Sequence, residues 1–193
     1  MRRQIARMSA FALATGLMIF PTAFGQDKAA SEHYSAVWAV TGGSAGGTTV
    51  PIDVRINRFN TNEEIGQYAA LLQKSGPSGL QQALGKEDVG QFSPVGKVGT
   101  PLAVARKLTV EGKTVIRVLT VRNLSFAELR NGGRSVDYPY TMLELVVDAD
   151  GKGTGTAMGA AKIRFDKKKG GYEIESFQHG TQFHKLLNVQ LMK

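Results

Sequence analysis

Gly42-Gly43-Ser44-Ala45-Gly46 matches G-x-S-x-G, the elbow that exposes a nucleophilic serine in α/β-hydrolases, and Asp137 followed by His179 or His184 completes a Ser, Asp, His order along the chain. Such an elbow needs a helix directly after the serine, within a parallel sheet. Here Gly47-Thr48-Thr49 leads into an alternating strand pattern, so hydrolysis by Ser44 stands as an alternative reading and not the leading one. The same loop does not suit a phosphate, because Thr48 stands where a P-loop needs lysine.

His179 and His184 can share a metal only if the chain at Gly180 folds back between them, and no third ligand lies close in sequence. Asp148 and Asp150 begin like a calcium loop. Lys152 and Gly159 then occupy positions where an EF-hand needs oxygen ligands, so the stretch reads as a turn. Glu173 and Glu175 share a strand face without an acid-base partner. The chemistry therefore predicts no catalytic residue, metal or cofactor. Binding is the better prospect. Trp38, Phe126, Tyr138, Tyr140 and His184 carry an apolar ring and a polar tip, or stack against such rings, and are the candidate ligand-binding residues. Tyr68 is a further aromatic of interest.

The elements that must position these residues are mostly strands. From Thr141 to Phe165 the chain reads as a β-hairpin: Leu143, Leu145 and Val147 alternate with Met142, Glu144 and Val146, and Asp148 to Gly153 supplies the turn. The return strand places Gly155, Ala157, Gly159 and Ala161 on one face. These four small residues make a shallow groove that something must fill. Further strands are predicted at 34–40, 50–58, 89–98, 102–110, 114–122, 171–177 and 183–191. Thr61 and Glu64 form a capping box that opens a helix to about Lys74, and Ser75-Gly76-Pro77 stops it and starts a second, ending at Gly85. Ser125 to Glu128 carries another capping box, and one helical turn is expected there. The predicted class is mainly β (α+β): an antiparallel barrel or highly curved sheet of about nine strands with a two-helix insertion at about 61–85. The helices are expected to cover the groove.

Residues 1–25 read as an export signal: Arg2, Arg3 and Arg7, an apolar run from Met8 to Phe20, and Ala23-Phe24-Gly25 before a mature start at Gln26. Three of the 24 basic residues lie in this leader, leaving 21 against 16 acidic ones, a net charge of +5 for residues 26–193. Those residues form a single predicted domain. Without cysteine it must be held by its core alone. The scattered basic charge points to no specific nucleic acid, and no transmembrane segment remains after cleavage. Aromatics at 8 % do not furnish the girdles of an outer-membrane barrel.

Ser135-Val136-Asp137-Tyr138-Pro139-Tyr140 running on to Glu144-Leu145, with Arg55-Ile56-Asn57-Arg58-Phe59, Ala103-Val104-Ala105-Arg106 and Lys162 to Lys168, resembles a group of small exported bacterial β-rich proteins of unassigned function. The resemblance covers most of the mature chain. It implies an exported single domain, periplasmic or secreted, and no site. The leading functional expectation is a non-enzymatic binding or envelope-interaction protein whose partner is a small apolar ligand or an anionic envelope component. A lipocalin-like small-molecule carrier is the alternative on the same architecture.

Overall fold

A computed structural model describes residues 31–39, 47–122, 137–176 and 184–192. The export signal, Ser44, Phe126, the predicted turn at Ser125 to Glu128, and His179 lie outside the described residues. The order is β1 (Glu32–Ala39), β2 (Thr49–Ile56), α1 (Asn62–Leu84), β3 (Gly90–Pro94), β4 (Thr100–Pro101), β5 (Val104–Val110), β6 (Lys113–Thr120), β7 (Tyr140–Val147), β8 (Lys152–Asp166), β9 (Gly171–Ser176) and β10 (His184–Met192). All strand pairs are antiparallel, in the order β4-β3-β2-β1-β10-β8-β7-β6-β5. The fold is mainly β with a helical insertion, as the alternating pattern predicts.

The sheet is curled into a half-barrel, and its two ends meet at Leu102-Ala103. Leu102 exchanges hydrogen bonds with β3 and its lead-in residue, donating to Gly90 O at 2.8 Å and accepting from Val89 N at 2.9 Å. The next residue, Ala103, donates to Leu119 O on β6 at 2.8 Å. The predicted strand at 102–110 is thus shared between the two edges: Leu102, directly after β4, bonds to one, and Ala103, leading into β5, to the other. Lys107 of β5 also reaches Glu32 of β1 at 2.6 Å, although the two strands stand far apart in the sheet order. Only a curled sheet brings them together.

Inside the curl, Tyr34, Trp38, Ile52, Val54, Phe92, Leu102, Ile116, Leu145 and Leu186 form the main core. Side chains alternate across a strand, so their neighbours face outward. On part of that outer face lies a second core, in which Leu72, Leu80 and Leu84 of α1 pack with Ala103, Leu119, Tyr140 and Ala161. The capping box is present in both directions: Thr61 N donates to Glu64 Oε2 at 2.8 Å, and Glu64 N to Thr61 Oγ1 at 3.2 Å. The two expected helices meet at a single residue, Gly76, whose φ of 70° and ψ of −172° suit glycine alone, and Pro77 restarts the helix as expected.

The expected groove is divided. A register shift between Tyr140 and Met142 marks a bulge against β8, where Met142 pairs with Met158 and Tyr140 with Ala161. An extra residue resets the period of two, so residues before and after it change faces. Ala157 therefore lies in the main core with Leu143 and Leu186, whereas Ala161 lies under α1. The helix covers the second and not the first. Gly155 serves a different need: a Cβ there would overlap the carbonyl oxygen of Glu144, so the close approach is by β7 and not by the helix.

Candidate functional site: one end of the half-barrel

Trp38 sits near the end of β1 and His184 at the start of β10. The register pairs Trp38 with Leu186 and His184 with Ala157, so both belong to the same end of the half-barrel. Their rings lie 5.8 Å apart, centroid to centroid, and Phe92 meets the indole edge-on at 6.1 Å. Trp38 is 4 % exposed and His184 2 %. The Trp38 Nε1 donor is buried and has no acceptor among the described residues. Burying such a group without a partner costs about 1–3 kcal/mol. That makes it the most conspicuous unspent polar atom inside the curl. Burial also holds the His184 imidazole below its ordinary value, because desolvation disfavours the charged ring. At neutral pH this wall is therefore aromatic and uncharged.

The five residues singled out for binding do not form one site. Trp38 and His184 come together, and Phe92 joins them. Sequence reasoning missed Phe92, since its alternating position marks it as core but not as a neighbour of Trp38. Tyr140 is fully buried on the other face, beneath α1, with its hydroxyl unpartnered among the described residues. Burial pushes its pKa up to about 12. Tyr140 shares its face of β7 with Met142, opposite Leu143, so the alternation along that strand turns it away from Trp38. Tyr138 is partly buried just ahead of β7, and Phe126 lies outside the described residues. Tyr68 packs against the second core and is half-buried.

The other candidates have structural employment. Asp148 Oδ1 accepts from Asp150 N and Lys152 N, each at 3.0 Å, and so closes its own turn. Glu173 and Glu175 both hold Arg164, at 2.7 Å and 2.8 Å. Asp137 is exposed. Among the described residues no group of three or more His, Asp or Glu side chains is placed to hold a metal ion.

At the opposite end, Tyr34 donates to Glu32 at 2.7 Å, and burial followed by that bond raises the Tyr34 pKa. The Lys107 to Glu32 ion pair, with the Phe59 ring 5.8 Å beneath the ammonium, adds to this polar cluster. No helix among them is long and apolar enough to cross a membrane.

Comparison with protein-family models, with curated proteins and with solved structures finds no match to this chain.

Proposed function

We propose that this is an exported, non-enzymatic binding protein, and that it takes a small, largely apolar ligand at the Trp38 end of the half-barrel. The observation that carries this reading is the buried Trp38 indole, whose N–H lacks an acceptor while its faces meet His184 and Phe92. A flat apolar molecule with one hydrogen-bond acceptor would satisfy that donor and stack on the same rings. An uncharged His184 supports an apolar guest over an anionic one. Export to the periplasm or the medium is part of the same proposal and rests on residues 1–25.

Native mass spectrometry of protein purified from the cell envelope tests both parts. The expected species begins at Gln26 and carries a small molecule. Trp38→Phe keeps an aromatic ring and removes the donor, so its bound fraction should fall while the fold persists. Trp38 is the sole tryptophan, and its emission reports on this site directly. A mature protein without bound ligand, whose emission does not respond to an envelope lipid extract, overturns the binding site. Retention of residues 1–25 overturns export.

A further inference from the structure

Beyond its last pairing with β7 at Ala161, β8 continues to Asp166 with only β9 beside it, so the two form an arm that projects past the sheet. The break in α1 lies against this arm, tied to it by Gln73 Nε2, which donates to Tyr172 OH at 2.8 Å. Between them is an open cleft of about 270 Å³ whose lining includes Leu72, Lys74, Pro77, Arg164, Phe165 and Lys167. Leu72 and Phe165 belong to the second core, on the opposite face of the sheet from Trp38.

The charges around the cleft are unbalanced. The arm from Lys162 to Ser176 holds five basic and three acidic residues. All three acids are already engaged: Glu173 and Glu175 pair with Arg164, and Asp166 and Glu173 pair with Lys169. Asp166 also caps its own turn, accepting from Lys168 N at 2.8 Å. On the helical side the acids stop at Glu63 and Glu64 in the first turn, and none follows before Glu87. Lys74 and Lys167 thus flank an apolar floor with no carboxylate partner among the described residues. A compact ammonium is a point donor suited to a phosphate oxygen. An apolar strip between two such donors suits the glycerol and first methylenes attached to that phosphate.

We propose that this cleft binds the headgroup of an anionic phospholipid and docks the protein on a lipid surface, with Lys74 and Lys167 on the phosphate and Phe165, Pro77 and Leu72 against the glycerol end of the acyl chains. Exposed Lys168 at the arm's tip brings further positive charge to the same surface. The site is separate from Trp38, and either can fail without the other.

Cosedimentation of the mature chain with phosphatidylglycerol-containing vesicles, against purely phosphatidylcholine vesicles, is the test. Binding should require the anionic lipid and weaken with added salt. The double variant Lys74→Glu/Lys167→Glu should lower the vesicle partition coefficient by about tenfold or more, as expected for lysines close to a charged membrane. Lys97→Glu/Lys113→Glu makes the same change in net charge at two exposed turns and should alter it by less than about twofold. Equal losses in the two double variants overturn the cleft and leave only general charge attraction. Equal binding to neutral vesicles overturns the headgroup. Competition by glycerol 3-phosphate at its free concentration as effective as that by vesicles overturns surface docking in favour of a soluble phosphate compound. The Trp38 emission response should be the same in all these variants.

Discussion

Asn60 and Ala105 hydrogen-bond in both directions: Asn60 N donates to Ala105 O at 2.8 Å, and Asn60 Oδ1 accepts from Ala105 N at 2.9 Å. One residue thereby does the work of a short strand. Its backbone supplies the donor of a ladder and its side chain the acceptor, on the edge of β5 beside the point where the two ends of the sheet meet. Asn60 is 7 % exposed, and its Nδ2 also donates to Glu64 at 3.2 Å, coupling the sheet edge to the capping box of α1.

Asn60→Ala leaves the buried Ala105 amide without an acceptor. The expected loss is about 1–3 kcal/mol of unfolding free energy, read from denaturant titration. Amide exchange at Ala105 should accelerate in the folded state, while amides in the middle of β7 keep their protection. Unchanged exchange at Ala105 would show that the side-chain bond holds nothing.

Ala157 and Ala161 look equivalent in the alternating pattern but occupy different cores. Ala161→Phe should overpack the seat of α1, and Gly155→Ala should push β7 from β8, each at a cost of roughly 1–3 kcal/mol. The two differ in spectrum. Ala161→Phe should reduce the helical part of the circular dichroism signal before global unfolding, because it displaces Leu72, Leu80 and Leu84. Gly155→Ala should lose β and helical signal together. Identical unfolding profiles would contradict a helix layer seated on one face only.

His184 sets a pH dependence. Its folded-state pKa lies below the ordinary 6.5 because burial penalises the imidazolium. Between those two values the unfolded chain binds more protons than the folded one, so stability falls as pH drops below about 6.5 and levels off beneath the folded value. The slope attributable to one such group is at most about 1.4 kcal/mol per pH unit. The difference between the parent and His184→Phe isolates this slope, since every other side chain is common to both. A parent and variant with parallel stability curves over that window would place the imidazole in water.

Several features follow from residues close together in the chain and are legible without the structure. Thr61 and Glu64 are three apart, which is all a capping box requires. Gly76-Pro77 breaks a helix because one residue adopts a φ that side chains avoid and the next lacks an amide donor. The turn at Glu111-Gly112 is marked by glycine, both residues having positive φ. The period of two in Leu143, Leu145 and Val147 assigns those side chains to one face, and the interior holds all three. The limits of these local signals are equally plain. Nothing in the sequence places β1 between β2 and β10, or assigns 102–110 to both edges of the sheet, because strand pairing depends on closing long loops and burying the best shared face. The alternation of Gly155, Ala157, Gly159 and Ala161 runs without a mark through the bulge that reverses it. That bulge sends Ala157 and Ala161 to different cores, and only the pairing of β7 with β8 could decide it; the pairing of β1 with β10 brings His184 to the indole. Asn60 likewise looks like an ordinary polar residue before a helix. Its role arises when the curl brings β5 alongside it, since a backbone donor forty-five residues away becomes a neighbour only through tertiary structure.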